Sequence, residues 1–262
     1  MNVFVFDIET VPDVAAGRRM YNAEGLSDED VAKVMFHIRR QETGGSDFLR
    51  HSLHRIVAIS AVLRAGDSFR VWSLGGAESS EAELIRRFFD GIEKYTPTLV
   101  TWNGGGFDLP VLHYRSLLHG IAAPRYWEMG SEDASFRWNN YISRFHFRHT
   151  DLMDVLSGYQ ARAVAPLDEI AALLGFPGKM GESGAAVWDK YLAGDIEGIR
   201  NYCETDVLNT YLVYLRFELV RGHLDREAYE LECERVRDEL RKQNKPHLQG
   251  FLTRWESVAM AL

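Results

Sequence analysis

Val3-Phe4-Val5-Phe6-Asp7-Ile8-Glu9-Thr10 opens the chain and decides how the rest is read. The run is apolar, rich in Val, Phe and Ile, and free of Gly and Pro, which predicts a buried strand. Two acids stand at its carboxyl end, at i and i+2. Side chains alternate along a strand, so Asp7 and Glu9 share a face, the one that carries Val3 and Val5. Neighbouring carboxylates at the edge of a core repel each other and lose hydration. A divalent cation relieves both costs, and hard oxygen ligands suit Mg²⁺ or Mn²⁺. Two acids that merely mark a strand end in water would give the same pattern, so the other acids of the chain have to decide.

The 262 residues suffice for one large domain, and 46% apolar with 26% charged residues is the balance of a globular chain. No window reaches the roughly 18 consecutive apolar residues of a membrane span. The first apolar run lacks a basic flank and ends in acids, unlike a signal peptide. Cys203 and Cys233 have neither metal spacing nor a disulfide framework, and the expectation is a cytoplasmic protein with reduced thiols. The net charge of −8 argues against strong non-specific binding to nucleic acid, yet a local basic groove beside an acidic metal centre would still hold a strand end.

After the first strand comes a polar insertion, residues 12–53, with one predicted helix at 27–40 capped by Ser27. Two strands follow, 54–63 and 68–74, joined by a hairpin turn at Ala65-Gly66-Asp67. An amphipathic helix spans 79–95, then a buried strand 98–102. The loop Asn103-Gly104-Gly105-Gly106-Phe107-Asp108 leads into a helix at 109–119. A second insertion, 124–147, is rich in aromatics and arginines. A strand closes at Asp151, and helices are predicted at 152–156, 167–174, 185–192 and 195–219. A charged helix and a short tail helix end the chain. Antiparallel strands first, then strands alternating with helices, predict an α/β fold: a mixed sheet flanked by helices on both faces, with two insertions and a C-terminal helical extension. Sites in such folds gather outside the carboxyl ends of strands, where Asp7 and Glu9 stand.

Asp108, at the mouth of a helix, suits an N-cap, and the glycines before it would also let it turn back over the strand ends. Tyr202 and Asp206 lie at i and i+4 on the long helix and face the same way. Ile199, Cys203, Val207, Thr210 and Tyr214 form the predicted apolar stripe of that helix, with Asp206 at its edge. An acid there needs a partner.

The set of Asp-x-Glu ending the first strand, Asn-x-x-x-Phe-Asp in the middle and Tyr-x-x-x-Asp on a late helix resembles the DEDD 3′–5′ exonucleases of the tyrosine subtype. The proofreading domain of family B DNA polymerases is the most similar group, and its fold is ribonuclease-H-like. The stretches at 150–152 and 166–168 also look like parts of that domain. The resemblance covers about residues 1–220, with no polymerase region after it, as in standalone bacterial exonucleases. It implies an exonuclease domain at 1–222 and a helical extension at 223–262 packed on it. It also implies that Asp7, Glu9, Asp108 and Asp206 hold two divalent cations, Mg²⁺ or Mn²⁺, roughly 4 Å apart. In that scheme Asp7 bridges the ions, Glu9 and Asp206 complete the nucleophile side, Asp108 holds the second ion through water, and Tyr202 orients the attacking water. The implied reaction releases nucleoside 5′-monophosphates from a nucleic-acid 3′ end, single-stranded DNA by preference.

Thr10, Asn103 and Phe107, inside the first two motifs, are the candidates to touch substrate near the metals. Arg137 and Arg144 in the second insertion, and Arg148 just after it, can meet phosphates, and the aromatics between them can stack on bases or serve as core. An RNA exonuclease or an endonuclease on the same fold, and a non-catalytic nucleic-acid-binding domain, are the other readings. The last would have no reason to keep four repelling acids and the tyrosine.

Overall fold

The computed structural model describes residues 2–181 and 183–259. The apolar opening run forms β1 (Asn2–Pro12), the central strand of a five-stranded sheet. With β2 (His54–Ala65), β3 (Ser68–Ser73), β4 (Thr98–Thr101) and β5 (His149–Asp151), the order is β3-β2-β1-β4-β5. β1 pairs antiparallel with β2 and parallel with β4; β2–β3 is antiparallel and β4–β5 parallel. This is the mixed, ribonuclease-H-like α/β architecture expected from the sequence. β2 and β3 meet at a tight turn where Gly66 takes φ +56°, a conformation open to glycine at little cost.

The alternation along β1 divides the core. Phe4, Phe6 and Ile8 pack with α3 (Glu81–Tyr95) and α4 (Asp108–His119) on one face. Val3 and Val5 pack on the other face with α9 (Ile196–Val220), α10 (Arg226–Lys242) and α11 (Pro246–Ala259). Every residue of α9 from Tyr202 to Leu215 is buried. This corrects the expected single stripe: the sheet covers one side of α9 and the two last helices the other, so the polar residues between the stripe positions are enclosed as well. The charged face of α10 is anchored through a bidentate pair in which Arg64 of β2 donates to Glu232 at 2.7 and 2.6 Å, both side chains buried.

The first insertion holds two helices, α1 (Val14–Tyr21) and α2 (Asp28–Thr43), where the sequence suggested one. Gly17 read as a loop residue. A Cβ there would stand 2.5 Å from Met35 Sδ, so the glycine serves the close approach of α1 to α2. Ser27 caps α2 as predicted, accepting from Asp30 N at 3.1 Å. The insertion is tied to the body by Asp13, which caps α1 and pairs with the buried Arg115, itself bidentate to Glu81. The second insertion is mostly irregular, with one helical turn, α5 (Pro124–Trp127), and a 3₁₀ turn at Ala134–Phe136. Short helices α6 (Leu152–Leu156), α7 (Leu167–Leu173) and α8 (Val187–Leu192) complete the order.

Candidate active site

β1 outlives its neighbour. The pairing with β4 ends at Val5–Val100, so the carboxyl half of β1 has no strand on that side. The pairing with β2 shifts register between Glu9 and Thr10, where Val57 is passed over. Such a bulge re-aims side chains, and bulges are common beside active sites. At this free end Asp7 is half-buried and Glu9 is buried, both on the face of α9.

The glycine loop carries Asp108 to the same place. Gly106 N and Phe107 N both donate to Asn103 O, and Leu109 N donates to Gly104 O, which closes a tight turn. A Cβ on Gly104 would sit 2.5 Å from Thr101, and one on Gly106 would sit 2.4 Å from Asn103 Oδ1. Asp151 holds the loop from below, accepting from Asn103 N at 2.9 Å and Gly105 N at 2.8 Å. Asp108 is the first residue of α4 and not its N-cap; Phe107 stands there and makes no side-chain cap. Asp108 Oδ1 instead accepts from Ile8 N at 3.1 Å, taking up a backbone donor that β4 is too short to reach. Asp206 comes from α9, whose burial brings it against Asp7 and Glu9.

The four acids repel one another. Burial, then the charges of Asp108, Glu9 and Asp206, push Asp7 well above the usual carboxyl range. Burial, then Asp206 and Asp108, do the same to Glu9. Burial raises Asp108 to about 7, although the hydrogen bond from Ile8 N opposes the rise. Burial likewise raises Asp206 to about 6 against the pull of Lys179. Asp206 Oδ1 is buried and has no hydrogen-bond partner. An orphaned anionic oxygen among mutually repelling carboxylates is a donor set that fits hard divalent cations. Tyr202, one turn before Asp206, is buried, and burial with the charges of Asp206, Glu9 and Asp7 drives its phenol far above the ordinary value.

Two residues the sequence reading left out of the site belong to it. Cys203 Sγ lies 3.4 Å from Asp7 O and 3.5 Å from Asp7 Oδ2, and it groups with one oxygen each of Asp7 and Glu9 within 4.8 Å. The adjacent Tyr202 was a visible signal, but a cysteine in an apolar stripe reads as core. Lys179, on the loop after α7, lies 5.7 Å from the Tyr202 ring centroid, and its charge favours the ionised forms of Glu9 and Asp206.

The substrate candidates separate. Thr10 Oγ1 is 2.8 Å from His54 Nδ1, and Phe107 packs against Phe48, His51 and His54. Asn103 turns the glycine loop with φ +65°. Arg137 is exposed. Arg144 is also exposed but engaged by Asp154 through two bonds of 2.9 and 2.8 Å. Arg148 is half-buried; its guanidinium lies 3.8 Å over the Phe136 ring and donates to Asn139 O, so it braces the segment. Of the aromatics around them, Tyr141 is buried core, whereas Trp138, Phe145 and Phe147 are 82%, 69% and 55% exposed.

Among known proteins, DNA polymerase 1 of Sulfurisphaera ohwakuensis is 58% identical over 38 residues, 14% of this chain and 4% of that polymerase. A DNA polymerase of Pyrococcus glycovorans is 30% identical over 130 residues, 47% of this chain and 16% of the polymerase. The family B DNA polymerase structure from Pyrobaculum calidifontis matches with a TM-score of 0.49 and 18% identity, over 84% of this chain and 24% of that one. The chain thus matches less than a quarter of the length of each of these polymerases. A family model described as a predicted 3′–5′ exonuclease related to the exonuclease domain of PolB matches residues 46–255. The match begins after β1 and takes in the glycine loop, Asp108, Tyr202 and Asp206. The chain belongs to this family of predicted PolB-related 3′–5′ exonucleases.

Proposed function

We propose that the protein is a metal-dependent 3′–5′ exonuclease of the tyrosine-containing DEDD subtype, a bacterial enzyme acting on single-stranded DNA. The observation that carries this reading is the meeting of Asp7, Glu9, Asp108 and Asp206 with Tyr202 at the end of β1 that runs past β4. The catalytic unit is 1–222, and 223–262 is an extension whose helices share its core.

Asp7, Glu9, Asp108 and Asp206 hold two divalent cations, Mg²⁺ or Mn²⁺. When bound, these supply Lewis-acid activation of the attacking water and positive charge beside the leaving oxygen. Tyr202 keeps its proton, because burial and the neighbouring carboxylates oppose the phenolate. It therefore orients the water by hydrogen bonding and is no base. The water oxygen joins the last phosphorus, the bond from that phosphorus to the 3′ oxygen breaks, and the 3′ oxygen takes a proton. A nucleoside 5′-monophosphate leaves, and the shortened strand keeps a 3′ hydroxyl. Thr10, Asn103 and Phe107 line the terminal nucleotide's place. Arg137 and Arg144 meet phosphates further along the strand, with Arg148 bracing their segment.

Digestion of 5′-labelled DNA and RNA oligomers, single- and double-stranded, with the released nucleotide identified by chromatography, tests this reading. The expected result is faster loss of single-stranded DNA and release of 5′-monophosphates. Preferential loss of RNA, or release of 3′-monophosphates, would overturn it.

A further inference from the structure

A cavity of about 540 Å³ opens beside Glu9. The end of β1 forms its floor, Phe107 and the first insertion's Phe36 and Phe48 form one side, and Trp188 of α8 also lines it. Phe48 is 53% exposed, with its ring centroid 5.6 Å from that of Phe107 and 5.2 Å from that of His54. The backbone beneath it is clamped. Phe48 O accepts from Arg39 Nε at 2.8 Å, and Phe48 N donates to Ser46 Oγ at 3.2 Å. The preceding Asp47, also at the cavity, is paired with Arg40 at 2.6 Å, so its charge is offset. A single exposed phenylalanine is ordinary on a protein surface. One held rigidly on the rim of an aromatic cavity that shares a wall residue with the carboxylate centre is a surface shaped for a flat ring.

We propose that Phe48 stacks on the unpaired 3′-terminal base of the strand, which makes the first insertion part of the substrate site. The inference rests on the exonuclease reading and deepens it. Glu9 belongs both to the acids and to the cavity, so a nucleotide whose phosphodiester reaches the acids has its base at this rim. Stacking on an aromatic face is indifferent to base identity, as removal of successive nucleotides requires. The other occupant such a cavity would suit, an apolar peptide side chain, has no connection to the acids.

The test is fluorescence anisotropy of a single-stranded DNA oligomer on the full chain, with Ca²⁺ filling the carboxylate centre and a gel confirming that the oligomer stays intact. One oligomer ends in a normal nucleotide, the other in an abasic sugar. Phe48→Ala is expected to weaken binding of the normal end about five- to 150-fold, the range by which base–aromatic stacking strengthens binding. It is expected to leave binding of the abasic end unchanged, while Phe48→Trp keeps the wild-type preference for the normal end. Since Phe48 is exposed, its replacement should leave the melting temperature near that of the wild type. Unchanged affinity for the normal end overturns the proposal, as does an equal loss on both ends or no binding by the wild type. Hydrolysis is read separately with Mg²⁺: a wild type that discriminates the two ends yet cleaves neither supports stacking and contradicts the exonuclease reading.

Discussion

Tyr202 and Asp206 stand one turn apart on α9, and burial pushes the pKa of both upward. The carboxylates and burial keep the phenol protonated, while Lys179 pulls Asp206 toward its anion against burial. Tyr202→Phe removes the hydroxyl and none of the four acids. Turnover is expected to fall by about 10²-fold, the usual scale of a lost proton-handling contact, with the melting-temperature rise given by Mn²⁺ kept. Full activity in this variant would assign Tyr202 to packing. At this scale the sequence was readable where a period was at work: i and i+2 put Asp7 and Glu9 on one face, and i and i+4 paired Tyr202 with Asp206. The period that placed Cys203 in the apolar stripe marked it as core, and Lys179 and Asp151 obey no period. They arrive through loops and through the sheet-facing side of α9, which depend on tertiary packing. Asp108 was readable as a helix-start acid. Its bond to Ile8 N was not, because that bond exists only where β4 stops short of β1.

The long helix α9 is locked between the sheet edge and the start of α11. Glu204, two residues from both Tyr202 and Asp206, is buried and accepts from Ser73 N and Ser73 Oγ, each at 2.9 Å. It also meets Lys245 Nζ at 3.0 Å and His247 Nε2 at 2.7 Å, so the start of α11 is tied to the sheet edge through the helix that carries the acids. Burial opposes the Glu204 anion, but the bonds from His247, Lys245 and Ser73 prevail and lower its pKa from 4.5 to about 2. A carboxyl lowered in the folded state contributes stability that is full above its unfolded pKa and is lost as pH falls through the folded one. Glu204→Gln is therefore expected to lower the melting temperature at pH 7 and to narrow its gap to the wild type as pH falls from about 4.5 toward about 2. Parallel curves over that window would show that the charge does not hold the helix. The extent of α9 was legible from its apolar spacing. Its enclosure on every side was not, because the covering helices read as charged and solvent-facing. The insertion misled in the opposite way, since Gly17 in α1 carries the usual signature of a loop.

Across the whole molecule, folding gathers acids that would stay apart in an unfolded chain. Asp108 and Asp206 rise from 3.8 to about 7 and about 6, and Asp7 and Glu9 rise as well. A carboxyl raised by folding stabilises the native state at pH below its unfolded value, and that contribution is lost as pH climbs through the folded value. The metal-free protein therefore loses this contribution between about pH 4 and about pH 7. A divalent cation competes with the protons and replaces them, so the gap in melting temperature between Mn²⁺-loaded and chelated protein is expected to widen from pH 5 to pH 7.5. A gap that is constant over this range, or as wide in Asp7→Ala, would separate metal binding from these acids. The mixed sheet and its flanking helices were legible because strands and helices alternate in the sequence, while the strand order was not. The cavity beside Glu9 was not, because its walls come from β1, the first insertion, the glycine loop and α8. The four acids are proposed as one hydrolytic centre. Its most direct measurement follows a 5′-labelled single-stranded DNA oligomer with Mg²⁺, with chelator, and with Asp7→Ala in place of the wild type. The expected result is a ladder of products shortened one nucleotide at a time from the 3′ end, seen only with wild-type protein and metal. An intact oligomer in every lane, internal cuts, or the same ladder from Asp7→Ala would contradict it.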